Sequence, residues 1–131
     1  MNDKLQYENI NVDYIIPVPL HKKRLRKRGY NQSLLIANQL SKINKKEVLD
    51  IVVRSKNTDF LSKLSKKERI KKLQNVFTLS KNENRIYKKD LLIVDDIFTT
   101  GTTTNEISKN LLNSGASKIY VITFATGKNI Y

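Results

Sequence analysis

A chain of 131 residues with no cysteine cannot be stapled by disulfides or built around a thiolate zinc site. With His21 as its one histidine, a transition-metal cage made by the protein alone is disfavoured too. The formal net charge of +13, from 25 Lys and Arg against 12 Asp and Glu, favours an anionic partner over a basic or neutral one.

No apolar run reaches membrane-spanning length, and the N-terminal MNDKLQYENI has no leader-like apolar core. Together these imply a cytoplasmic protein with no membrane insertion. One hydrophobic core is expected at this length, so residues 1–131 read as a single domain.

In chain order, residues 12–18 (VDYIIPV) read as a short buried strand, closed by Pro17 and Pro19. The basic stretch HKKRLRKR at 21–28 follows, with His21 as an exposed loop residue and Tyr30, after Gly29, as a packing residue. A helix is predicted from about Asn31 to Ile43, with Ser33, Ile36, Leu40 and Ile43 spaced for one face. Residues 48–54 read as one strand. Residues 55–74, polar with scattered apolar positions, read as a mobile loop with one helical turn.

A short strand at 76–79 and a loop at 80–89 come next. The run at 91–94 is apolar on both faces, as a parallel strand covered by helices must be. A helix over about 102–113, with Ile107 and Leu111 one turn apart and Gly115 as its cap, leads to a last strand at 119–124. Strand, helix, strand in that order predicts an α/β fold with a mainly parallel sheet.

The basic charge is concentrated. Six Lys or Arg lie in 21–28 and eight more in 54–72, so fourteen of 25 fall in two short stretches. Five of the six arginines lie there as well, with Arg85 the exception. The planar arginine fork suits bidentate contact with phosphate, so a phosphate-bearing partner is favoured.

The most specific stretch is LLIVDDIFTTGTTT, residues 91–104. Asp95 and Asp96 stand at the carboxyl end of a buried strand, where open parallel sheets bind ligands. The loop that follows opens a helix, whose first amides lack intrahelical partners and attract anions. Gly101 lets the backbone approach, and Thr99, Thr100, Thr102 and Thr103 add hydroxyl donors. Carboxylates accept only, and want hydroxyl donors or a cation. A ligand with a phosphate at one end and a vicinal diol beside it satisfies both halves, which describes a ribose phosphate.

LLIVDDIFTTGTT resembles the signature of type I phosphoribosyltransferases: four apolar residues, two acids and a short phosphate loop. IIPVPLHKKRLRKRGYNQS and LSKKERIKKLQNVF resemble more narrowly the ComF family, competence-associated proteins with a phosphoribosyltransferase domain. The resemblance runs from about Ile15 to Ala125. It implies a single type I phosphoribosyltransferase-like domain with a mainly parallel sheet of about five strands flanked by helices.

It further implies that Asp95 and Asp96 bind the ribose hydroxyls and help seat Mg²⁺. Thr99, Thr100, Gly101, Thr102 and Thr103 then form the 5′-phosphate loop, and Pro19, Leu20 and His21, with Arg24 close by, meet pyrophosphate. Residues 55–74 fall where related enzymes carry a loop that closes over the site; an amphipathic surface helix at 63–72 is the alternative. Two departures stand out. ComF proteins usually carry a cysteine-rich zinc module, which has no counterpart here, and purine-salvage enzymes place an acid where Thr99 stands.

Two functions from different classes are expected. One is Mg²⁺-dependent transfer of phosphoribosyl from phosphoribosyl pyrophosphate (PRPP) to an unidentified nitrogen acceptor. Lys66, Lys67, Arg69 and Arg24 are then the candidates to stabilise the leaving pyrophosphate. The other is a non-catalytic, PRPP-gated component of the DNA-uptake machinery that meets single-stranded DNA through Arg24, Arg26 and Arg28, beside other DNA-uptake proteins.

Overall fold

The computed structural model describes residues 11–20, 25–27, 29–54, 65–73, 76–80, 83–98 and 102–126. Strand β1 (Tyr14–Pro17) leads through helix α1 (Gln32–Asn44) to β2 (Glu47–Val48), and the chain then passes into β3 (Val52–Arg54). Helix α2 (Lys66–Leu73), β4 (Phe77–Leu79) and a 3₁₀ turn (Glu83–Ile86) precede β5 (Asp90–Phe98). Helix α3 (Thr102–Asn113) and β6 (Lys118–Thr126) complete the order.

Four strands form a parallel sheet in the order β2-β1-β5-β6, while β3 and β4 pair antiparallel on their own. The sheet thus has four strands among the described residues where about five were expected, and the other two strands form the separate ribbon. The order carries the functional geometry. From β1 the crossover through α1 goes to one side, and from β5 the crossover through α3 goes to the other. The strand order therefore reverses between β1 and β5.

Alternating side chains of these strands supply two cores, because successive residues of a strand point to opposite faces. Ile16, Leu91 and Ile93 join Ile107 and Leu111 of α3, with Val52 and Phe77 of the β3–β4 ribbon. Ile15, Leu92 and Val94 join Ala37 and Leu40 of α1 on the opposite face. Burying side chains of this size stabilises by roughly 1.5–3 kcal/mol each, so the two faces together hold the sheet.

Helix α1 keeps its predicted face except at one end. Ser33 and Leu40 are buried, with Ala37 beside them and Ile36 half-buried against the same core, while Ile43 is 57% exposed. The buried row advances by four and then three residues, and carries Ile43 off the core.

The segment 48–54 is two strands rather than one. Leu49 N–H donates to the Ile15 carbonyl, continuing the parallel sheet, whereas the Ile51 carbonyl accepts from Ser80 N–H in the ribbon. The chain changes partner within two residues.

Residues 66–73 form a helix, as the alternative of a surface helix at 63–72 expects and against the mobile-loop expectation for that part of 55–74; residues 55–64, 74 and 75 lie outside the described set. Its start is a capping box: Glu68 N–H donates to Ser65 Oγ at 3.2 Å, and Ser65 N–H donates to Glu68 Oε1 at 3.3 Å. The helix packs against α3. Asn110 on α3 also donates to the Phe77 carbonyl at 2.9 Å, tying the ribbon to the same helix.

At the end of α3, Ala116 N–H donates to Leu111 O and Gly115 N–H to Leu112 O. Gly115 has φ +105, and a Cβ there would stand 2.5 Å from Cδ2 of the Tyr87 ring. Tyr87 is exposed and can swing aside, so the backbone conformation sets most of the penalty. Gly115→Ala should lower stability by about 1–2 kcal/mol. A thermal melt should show this as a drop of several degrees; an unchanged midpoint would mean that the turn tolerates a side chain.

Candidate functional site

Pairing between β1 and β5 ends at Pro17 opposite Val94, followed by one further bond from Val18 N–H to the Val94 carbonyl at 3.0 Å. Pairing between β5 and β6 continues as far as Phe98 opposite Thr126. Strand β5 therefore outruns β1 and leaves a notch at the reversal of strand order, where open α/β sheets bind ligands. The prolines shape it. Alternate residues of β1 face β5 (Ile16, Val18) and β2 (Ile15, Pro17, Pro19), and Pro17 and Pro19 have no N–H to offer β2.

Asp95 and Asp96 lie on the wall of this notch, within β5 rather than beyond it; the strand runs four residues past the predicted 91–94. Asp95 is buried, 9% exposed, and stands opposite Thr123 on β6, while Asp96 is half-buried. The pleat puts Asp95 on the α3 side with Leu91 and Ile93, and Asp96 on the α1 side with Leu92 and Val94. The two acids thus bracket the strand end from both faces.

Both flanking helices begin at this edge, since each follows a strand of the parallel sheet. Neither α1 nor α3 has an acidic residue in its first turn, so no carboxylate there competes for an incoming anion. Thr103 is half-buried and Thr104 buried in the first turn of α3. Thr102 opens that helix; Thr99, Thr100 and Gly101 lie outside the described residues.

On the β1 side, Pro19 is buried and Leu20 half-buried, flooring the notch. His21, Arg24 and Arg28 lie outside the described residues, whereas Arg26 and Lys27 are exposed. Gly29 N–H closes a helical turn onto the Leu25 carbonyl at 2.7 Å, with φ +84 at the glycine. Tyr30 is 47% exposed, which corrects its reading as a packing residue.

The structure thus brings Pro19, Leu20, Asp95, Asp96 and Thr103 to one edge. Lys66 and Lys67 are exposed in the first turn of α2, whose packing partner is α3; the Arg69 side chain is outside the described set. Two arginines have structural partners. The Arg85 guanidinium holds both Glu47 oxygens at 2.8 Å and lies over the Tyr14 ring; bonding first to Glu47 and then to Tyr14 raises its pKa further. Arg54 lies over the Phe77 ring at 5.8 Å, which weakens its reading as a phosphate contact.

Asn31 does more than start the helix. Its Oδ1 accepts from Ser33 N–H at 3.0 Å as the α1 cap, while its Nδ2 donates to the Val18 carbonyl at 3.1 Å. An Asn followed two residues on by a Ser at a predicted helix start signals the cap; nothing local signals the bond thirteen residues back.

No family model matches the chain. Among curated proteins it is 43% identical over 108 residues to competence protein F of Haemophilus influenzae, spanning 82% of this chain and 47% of that one. It is 36% identical over 110 residues to the DNA utilization protein YhgH of Escherichia coli, covering 83% and 47%. Competence protein ComFC of Bacillus subtilis matches at 29% over 101 residues, covering 77% and 39%.

The chain belongs to the ComF family.

This ComF chain spans about half the length of the curated relatives it matches. Its fold is that of the type I phosphoribosyltransferases. A purine phosphoribosyltransferase from Pyrococcus horikoshii superposes with a TM-score of 0.58 at 21% identity, over 95% of this chain and 66% of that one. The glutamine PRPP amidotransferase of B. subtilis gives 0.58 at 16%, over 93% and 24%. Among the described residues of the ComF chain, no helix is long and apolar enough to cross a membrane.

Proposed function

We propose that this chain binds a phosphorylated ribose, PRPP or ribose 5-phosphate, and transfers the phosphoribosyl group of PRPP to an acceptor. The observation that carries this reading is the bracketing of the β5 end by Asp95 and Asp96, in a notch with a helix start close behind it. The acids would accept from the sugar diol. The phosphate would meet the amide end of α3 and its Thr side chains.

Mg²⁺ fits the same donors. Among the described residues, no group of three or more His, Cys, Asp or Glu could cage a metal. Mg²⁺ typically takes only one or two carboxylates and completes its shell with water and substrate phosphates. Asp95 and Asp96 would hold it, and the ion would supply charge neutralisation at the departing pyrophosphate. The protein's own contribution is to position the sugar and to stabilise developing negative charge. Exposed Lys66 and Lys67, with Arg69, are the candidates for the latter, and no protein nucleophile is required.

Calorimetry with PRPP, with and without Mg²⁺, tests binding. Pyrophosphate release in the presence of a panel of bases and of DNA tests transfer. We expect PRPP to bind more tightly with Mg²⁺. Absence of binding by both PRPP and ribose 5-phosphate would overturn the reading.

A second reading, a PRPP-gated module that handles single-stranded DNA, is favoured by the names of the relatives and by the exposure of Arg26, Lys27 and Tyr30 at one edge. Binding of PRPP without pyrophosphate release under any acceptor condition would select it over the enzyme.

A further inference from the structure

The β1 side of the notch consists of Val18, Pro19 and Leu20, beyond the last paired residue of β1, and Val18 alone of the three keeps a backbone bond to β5. Val18 is fixed twice. Its N–H donates to the Val94 carbonyl, one residue before Asp95, and its carbonyl accepts from Asn31 Nδ2 at 3.1 Å. The same Asn31 side chain caps α1 through Oδ1. One amide thus joins three parts of the notch: the end of β1, the start of α1 and, through Val18, the residue preceding the acid pair.

Aspartate can cap a helix as well as asparagine, and serine nearly so. An ionised aspartate has no donor for Val18, and the serine hydroxyl, though it can donate, sits one bond closer to the backbone and is engaged as the cap. Asparagine caps and reaches back with two separate atoms, Oδ1 as acceptor and Nδ2 as donor.

We propose that Asn31 is a positioning residue that sets the β1-side wall of the notch, and so governs recognition of the substituent on the ribose carbon remote from the 5′-phosphate. This rests on the ribose-phosphate reading above. With the 5′-phosphate at α3 and the diol at Asp95 and Asp96, the opposite end of the sugar lies toward β1. A diphosphate at that end meets the Val18–Leu20 backbone; a ligand without it does not. Asn31 touches no ligand, and acts by holding Val18.

The test uses Asn31→Asp and Asn31→Ser in the full chain, with PRPP and ribose 5-phosphate titrated separately in Mg²⁺. Both variants retain a cap acceptor and lose only the bond to Val18, so the melting temperature should fall by a few degrees while the chain stays folded. PRPP affinity should fall severalfold, up to about tenfold, because the lost bond of about 1.4 kcal/mol is what biases the wall toward its binding geometry. Affinity for ribose 5-phosphate should change less than about twofold on the same scale.

Unchanged PRPP affinity in the folded variants would overturn the proposal, as would equal weakening of both ligands, which is the mark of a merely structural role. Asn31→Gln, one methylene longer but with the same donor and acceptor, should recover part of the PRPP affinity, and no recovery would count against a donor role. If the parent chain binds neither ligand, the ribose-phosphate reading itself has failed; that outcome is seen before any variant is made.

Discussion

Replacing Asp95 and Asp96 together with asparagine should weaken PRPP binding by about 100-fold or more while leaving the chain folded. Each carboxylate is assigned charge-assisted hydrogen bonds to sugar hydroxyls or a share of Mg²⁺, and bonds of that kind are worth about 1.5–3 kcal/mol apiece. Two such losses correspond to at least two decades in affinity. Asparagine keeps the size and shape of each side chain, so the double variant should remain folded, and a melt checks this beside the titration.

Asp90→Asn makes the same chemical change at the opposite end of β5 and should leave affinity alone. Calorimetry on the two variants separates these outcomes. Unchanged affinity in the double variant would sink the assignment of the acid pair, and an equal loss in Asp90→Asn would mean that the effect is not local.

The parts of the fold legible in the sequence are those where one physical signal dominates. Residues 91–94 are apolar at every position, which a strand buried on both faces requires, and they sit in the middle of the sheet with α1 on one face and α3 on the other. Helix α3 was bounded correctly because its apolar period and Gly115 agree. The acid pair stood out because carboxylates seldom end such a run without cause.

What was not legible depends on partners distant in sequence. Residues 48–54 look like one strand, and only the competing bonds to Ile15 and Ser80 divide them. The continuation of β5 through Asp95 and Asp96 depends on β6 supplying a partner as far as Thr126. Helix α2 is a different case. Ser65 and Glu68 announce a capping box in the sequence, but the helix carries so many lysines that its charge masked the signal.

The arginine bias, read as one anion-binding signal, turns out to be mixed. Arg54 packs on Phe77, so its placement is explained by the fold, as is that of Arg85, outside the two stretches, which clamps Glu47. Arg26 is exposed at the notch edge with Lys27 and has no such account. Among the arginines whose side chains are described, the one left for a polyanion lies in the stretch between β1 and α1, which is where a test should be aimed.

If that stretch serves single-stranded DNA, Arg24, Arg26 and Arg28 replaced together by glutamine should reduce affinity at low salt by about tenfold or more. The slope of log K against log salt should flatten by about 0.7 for each phosphate no longer neutralised, hence by about 2 for all three arginines. The fold supplies the control. Lys42 lies in the last turn of α1, Lys89 just before β5 and Lys118 at the start of β6, so all three are exposed at the amino edge of the parallel sheet, opposite the notch. Glutamine at these positions removes the same three charges from the other end of the molecule. A specific surface predicts a large loss and a flattened slope for the arginine variant, with little change for the lysine one. A merely basic protein predicts that both fall alike, because nonspecific attraction follows total charge. Filter binding or anisotropy with one oligonucleotide over a salt series measures both quantities, and indistinguishable slopes in the two variants would leave the small-molecule enzyme as the surviving function.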